Sequence, residues 1–192
     1  MIPFERILDE AAARAGGAEA LQRKLPIPKT AEALRAVSDD RYLSLLSQRI
    51  FRAGLKHEMV DAKWPAFKEV FHGFDPERVR FMSEDALQAL LADSRIIRHW
   101  SNIKAVRANA QALCEIAAET GSMGAYLAAW PRERIVDLWH ELGKRFTQLG
   151  GLSGPYFLRM AGKDTFLLTD AVVRALVHWG AVPRETERQT RP

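Results

Sequence analysis

The chain has 192 residues, enough for one well-buried core and too few for two independent domains of average size. It is 47% hydrophobic, yet no uncharged apolar run approaches the roughly 18–20 residues of a membrane span, and Glu5, Arg6, Asp9 and Glu10 stand where a secretory signal would be apolar, which predicts a cytoplasmic protein. A single cysteine, Cys114, excludes an internal disulfide or a thiolate metal cluster, and a formal charge of +4 suits a polyanionic partner without requiring one.

Apolar residues recur at helical spacing almost throughout, and no stretch sustains the alternation of a half-buried strand, so the predicted fold is all-α. Gly16-Gly17 and Leu25-Pro26-Ile27-Pro28 read as short breaks between helices. Thr30, Ser38, Asp75 with Pro76, and Ser83 mark starts, preceding Ala31 to Ala36, Asp39 to Arg52, a short turn, and Glu84 to Ala92. A central helix carries Ile103, Val106, Ala110, Leu113 and Ala117 on one face, with Lys104 and Arg107 elsewhere. Pro131 is read as opening a helix that runs to Phe146 on a buried stripe of Ile135, Leu138, Trp139, Leu142 and Phe146. Residues 1–182 are read as one domain, and the charged tail 183–192, with no apolar side chain to bury, as disordered.

From Leu149 the chain reads Leu-Gly-Gly-Leu-Ser-Gly-Pro-Tyr-Phe-Leu-Arg-Met-Ala-Gly: a glycine-rich turn over 149–154, then a short helix with Pro155 expected at its first position. Gly150, Gly151 and Gly154 would let backbone N–H groups come close to a phosphate, beside a helix N-terminus. With Ser153 they form the expected grip on the DNA backbone, which carries no sequence information. The same residues also suit an ordinary turn between two packed helices. Asp170 then opens a last helix carrying Val172, Val173, Leu176 and Val177. A carboxylate there can stabilise an oxocarbenium-like transition state and orient a water, or Thr169 or Asp170 can simply cap the helix.

Two stretches carry a resemblance. Between Ser38 and Leu113 stand Ala53-Gly54-Leu55, Phe71-His72-Gly73-Phe74-Asp75-Pro76, and Ile96-Ile97-Arg98-His99 leading to Lys104 and Asn109-Ala110. This portion, about two fifths of the chain, resembles the bacterial 3-methyladenine DNA glycosylase I family. Leu149 to Arg174 looks like the hairpin and acid loop of the wider helix-hairpin-helix glycosylase superfamily, in which the aspartate after the hairpin is catalytic. The resemblance implies a two-lobed helical fold, a damaged, alkylated base flipped out of double-stranded DNA, and hydrolysis of its N-glycosidic bond without a cofactor. It assigns the catalytic role to Asp170. The residues after Gly154 lack the lysine with which bifunctional members attack the sugar, which implies a single-function enzyme, expected to be a monomer.

The departures fall on the base pocket and the metal site. The family's base-reading glutamate, four residues before Ala53-Gly54-Leu55, is Arg49 here, and its stacking tryptophan, two positions after that motif, is His57. Residues 1–37 contain only Phe4 as an aromatic, so the family's N-terminal aromatic segment is missing. Ala171 and Ala175 occupy the positions of the family's C-terminal zinc ligands, so no metal is expected. Trp64, Trp100 and Tyr156 are candidates to line the pocket with Arg49 and His57, Tyr156 foremost because it lies on the hairpin helix; for either tryptophan the plainer role is core packing. Arg98 and His99 are assigned no chemistry. Two other readings remain: a DNA-structure binding protein that has lost base excision, and a glycosidase acting on a small nucleoside-like substrate.

Overall fold

The computed structural model describes residues 3–183, so all of the expected tail 183–192 except Pro183 lies outside the described residues. All regular structure among them is helical. The chain divides into two compact units, a central one over Lys29–Phe166 and a flanking one built from Met1–Pro28 and Leu167–Pro192. Among the described residues no helix is long and apolar enough to cross a membrane.

In the flanking unit, α1 (Phe4–Ala15) ends on Gly16 in the left-handed region (φ 93°), and Gly17 (φ 115°) starts α2 (Ala18–Lys24), so two conformations that L side chains rarely adopt make the tight reversal. The central unit runs α3 (Ala31–Arg35), α4 (Asp39–Arg52), α5 (His57–Val70), α6 (Pro76–Arg80), α7 (Glu84–Ala89), α8 (Trp100–Thr120), α9 (Met123–Ala129), α10 (Ile135–Arg145) and α11 (Ser153–Ala161). The flanking unit's last helix is α12 (Asp170–His178).

The predicted starts differ in how they are capped. Thr30 accepts from the Ala33 N–H at 3.2 Å, Ser83 from Ala86 at 3.1 Å, and Asp75 from Glu77 at 3.0 Å, with Pro76 following at the first helical position. Ser38 makes no side-chain cap bond. Pro131 does not open a helix either: it precedes a 3-10 turn over Arg132–Arg134, and Arg134 (φ −104°, ψ 24°) falls off helical geometry before α10 begins.

The core of the central unit is threaded by α4 and α8, which bury Leu43, Leu46 and Ile50 from one and Ile103, Val106 and Leu113 from the other. Beside them lies an aromatic cluster. Trp64 stacks on Phe67 (centroids 5.0 Å apart) and on Phe74 (5.3 Å), while Phe51 sits 4.5 Å from Phe67. The matched stretch Phe71-His72-Gly73-Phe74-Asp75-Pro76 exists for this cluster: His72, Gly73 and Phe74 all take positive φ, and the unusual turn drives Phe74 to complete burial.

At the start of α4, α3 packs on α9. The Tyr42 hydroxyl donates to the Leu34 carbonyl at 2.8 Å, and burial pushes that phenol up to about 12. A Cβ at Gly124 would fall on the same carbonyl oxygen and lie 3.0 Å from the Arg35 Cα, so backbone stands where a methyl would go. Replacing Gly124 with alanine is expected to lower stability by about 1–3 kcal/mol despite alanine's better helix propensity, read as a fall in the urea midpoint at unchanged slope. A midpoint that rises would show that α3 is free to shift.

Candidate functional site

Three turns of the central unit border one cleft. The first leaves α4 through Ala53, Gly54 (φ 76°) and Leu55, and the left-handed glycine turns the chain so sharply that Leu55 stays 38% exposed. The second, Ile96-Ile97-Arg98-His99, buries Ile96 and enters α8 at His99. The third joins α10 to α11 and is clamped from inside the core: fully buried Asn109 donates to the Thr147 carbonyl at 3.1 Å and accepts from the Thr147 N–H at 2.7 Å. Both hydrogen-bonding groups of one residue are thus taken by one amide, which satisfies the buried side chain and fixes the loop. The next residue, Gln148, is held at φ 64°, a conformation that its side chain does not favour.

The cleft has a volume of about 530 Å³. Ile50, Ala53, Leu55 and Ile97 form its apolar wall, and Arg98, His99, Ser101, Asn102 and Gln148 its polar one. The polar groups interlock: Ser101 Oγ lies 3.1 Å from His99 Nδ1 and accepts from Gln148 Nε2 at 3.3 Å. Sequence reading missed this wall. Arg98 and His99 stood inside a matched motif, which was signal enough, whereas nothing in the residue type of Gln148 announces a left-handed backbone.

Of the residues expected in the base pocket, Arg49 and Tyr156 come together. The Arg49 guanidinium lies over the Tyr156 ring, 4.6 Å from its centroid, and Nη2 is 3.5 Å from Ser153 Oγ. Arg49 Nε is buried with no protein partner among the described residues. Burial pushes the Arg49 pKa below its ordinary value, Tyr156 opposes that shift, and Arg52 adds to it. The pair places a cation on an aromatic face where α4 meets the start of α11.

The other expected pocket residues lie elsewhere. His57, the first residue of α5, is exposed, and like Arg49 and Tyr156 it is not part of the cleft wall. Trp64 is only 7% exposed, stacked on Phe67 and Phe74 in the aromatic cluster and with its indole N–H bonded to Ser44 Oγ at 3.0 Å, so its ring is not open to a base. Trp100 is half-buried against the core, with Lys104 Nζ 5.2 Å from its ring.

In the hairpin, Gly150 and Gly151 are exposed and Gly151 takes φ 56°, leaving their backbone open to approach. Gly154 differs. It is buried inside α11, where a Cβ would meet the Leu149 carbonyl oxygen at 3.1 Å, so its small size serves packing and it offers no surface to a phosphate. The helix starts at Ser153 rather than at Pro155, which is its third residue, still within the first turn where a missing N–H is tolerated.

After α11, Gly162 (φ 90°) ends the helix and Lys163 Nζ donates to the Trp130 carbonyl at 2.6 Å, with burial lowering the lysine's pKa. Arg132 pairs with Asp164 at 2.8 Å, Trp139 donates to Thr165 at 3.0 Å, and Phe166 packs edge-on to Trp139. These contacts tie the loop to α10 and to the turn that precedes it. In the flanking unit, Thr169 caps α12 by accepting from the Val172 N–H at 3.4 Å, and Asp170 is the exposed first residue. The cap role is therefore filled by Thr169, and no hydrogen bond engages the Asp170 carboxylate among the described residues.

Residues 33–148 match the model of the methyladenine glycosylase family. A 65-residue stretch is 37% identical to DNA-3-methyladenine glycosylase 1 of Escherichia coli (strain K12), covering 34% of this chain and 35% of that protein, so the match spans about a third of the curated relative's length. Among solved structures, 3-methyladenine DNA glycosylase I from Staphylococcus aureus is similar at a TM-score of 0.58 and 22% identity over 68% of this chain and 80% of that one. A solution structure of 3-methyladenine DNA glycosylase I gives 0.58 and 23% over 79% and 86%. These likenesses establish the all-α, two-lobed helical glycosylase fold. With its family model matched over well over half its length, the chain belongs to the methyladenine glycosylase family.

Proposed function

We propose that the protein is a monofunctional DNA glycosylase that hydrolyses the N-glycosidic bond of a damaged, alkylated base in double-stranded DNA, acting as a cytoplasmic monomer without a cofactor. The observation that carries this reading is convergence. Ala53-Gly54-Leu55, Ile97-Arg98-His99 and the Asn109-clamped entrance of the hairpin are far apart in sequence and border a single cleft.

In this reading the exposed backbone of Gly150 and Gly151 and the Ser153 hydroxyl hold the phosphate backbone. The bond from C1′ to the base nitrogen breaks, its electron pair leaving with the base. The Asp170 carboxylate stabilises the positive charge developing on the sugar and orients the water whose oxygen then bonds to C1′. The water's remaining proton passes to solvent or to the departing base. Arg49 and Tyr156 line the approach to the extruded base.

The competing reading, a DNA-binding protein without base excision, is favoured by one observation: Arg49 already occupies the face of Tyr156, where a base would stack. Both readings are tested on a panel of alkylated duplexes. A glycosylase liberates free base and leaves strands that break only after alkali, whereas a binding protein retains the duplex in a salt-dependent manner and liberates nothing. Strand scission without alkali would contradict the monofunctional assignment.

A further inference from the structure

One side chain of the central unit carries a charge that no protein anion answers. Arg49 is half-buried on α4, and its guanidinium lies over the Tyr156 ring, 4.6 Å from the centroid. Its hydrogen bonding to the described residues amounts to one long contact, 3.5 Å from Nη2 to Ser153 Oγ. Nε is enclosed without a partner among the described residues, whereas Nη1 is neither bonded to them nor enclosed. Arg52, one turn along α4, is paired with Asp61 at 2.6 Å; no carboxylate pairs with Arg49 among the described residues. A cation taken partly out of water is unfavourable unless acceptors meet it, so this arrangement calls for a ligand that brings them. Tyr156 is then the shelf that holds the guanidinium, and a base meets the edge of the donor fork rather than the ring.

We propose that Arg49 is a leaving-group residue: it selects an uncharged purine lesion with acceptors at O6 and N7, and stabilises the negative charge of that base as it departs. The inference rests on the glycosylase reading above. The forked donors of a guanidinium match O6 and N7, which lie side by side on one purine edge. Among alkylated bases, guanine alkylated at O6 fits this edge. Guanine alkylated at N7 does not, because its acceptor is blocked and its positive charge meets Arg49 with like sign. The two also leave differently. A cationic base departs as a neutral molecule, whereas an uncharged one takes up the electron pair of the broken C1′–N9 bond, which spreads from N9 through the ring to N7 and O6. Hydrogen bonds from Arg49 strengthen there as the charge develops, so they favour the transition state over the bound substrate. Arg49 gives up no proton: the water oxygen bonds to C1′, and the proton it releases ends on solvent or on the departed base.

The test compares two isomers in one duplex sequence: O6-methylguanine, uncharged with N7 free, and 7-methylguanine, cationic with N7 blocked. Hypoxanthine serves as a second uncharged probe. Free base is measured as the enhancement over each lesion's spontaneous release. For the wild type this enhancement should be at least about tenfold greater on the two uncharged lesions. Arg49→Met, similar in length and uncharged, should lose about 10²–10³-fold on them and gain up to about tenfold on 7-methylguanine. Its melting temperature should hold or rise, because a half-buried charge is gone. Arg49→Lys, which keeps the charge without the fork, should retain part of the activity on the uncharged lesions. A wild-type preference for 7-methylguanine, or an equal loss on all three lesions in Arg49→Met, overturns this role for Arg49 and leaves the glycosylase reading standing. No base freed by the wild type from these duplexes or from DNA treated with dimethyl sulfate overturns both.

Discussion

Asp170→Asn is expected to slow base release by about 10²–10³-fold, the typical cost of removing one group aimed at transition-state charge, with duplex affinity equal to or tighter than that of the wild type. The substitution is close to isosteric and removes only the charge. Its structural consequences are small because Thr169, not Asp170, supplies the cap of α12, and because the carboxylate is exposed and bonded to no described residue. The melting temperature should therefore hold within about 2 °C. Single-turnover release of free base, with affinity measured on the same preparations, separates chemistry from binding. Equal rates for the two proteins would remove Asp170 from the mechanism and return it to being the first residue of a helix.

The second large effect falls on stability. Trp64→Ala should lower the unfolding free energy by about 3–5 kcal/mol and the melting temperature by on the order of 10 °C, because the indole fills the space between Phe67 and Phe74 and its N–H satisfies Ser44. Trp64→Phe, which keeps a ring and loses the Ser44 bond, should cost about 1 kcal/mol beyond its change in volume. Chemical denaturation measures both. A tryptophan that stacked on an extruded base would behave the opposite way, with stability kept in the alanine variant and base release lost.

The contrast between Trp64 and Tyr156 shows where legibility in the sequence ends. Helix periodicity places α4 at Asp39–Arg52 as expected, and local chemistry identifies Thr30, Asp75 and Ser83 as caps, because a cap is made by residues two or three positions apart. The difference between a core tryptophan and an exposed one depends on what lies across space. Phe74 reaches Trp64 only through a turn of three positive-φ residues, and no spacing rule reports that. Arg49 and Tyr156 meet across more than half the chain, so their stacking is invisible at the level of either helix alone.

Glycines in the hairpin gave the same ambiguity in miniature. Gly151 is required for its left-handed backbone and Gly154 for close packing against the Leu149 carbonyl, two physical reasons for one residue type. Motif matching, by contrast, found Asn109 and His99 without explaining them. Their reason is architectural: Asn109 holds Thr147 so that Gln148 is presented to the cleft, and His99 braces Ser101 against it.

The central claim, that this fold cleaves N-glycosidic bonds in DNA, is tested most directly by the stoichiometry of a single-turnover reaction on an alkylated duplex with protein in excess. The account predicts one free base for each alkali-labile site formed, with no strand break before alkali. Saturated binding of the same duplex, with neither free base nor alkali-labile sites at the end of the reaction, would contradict it.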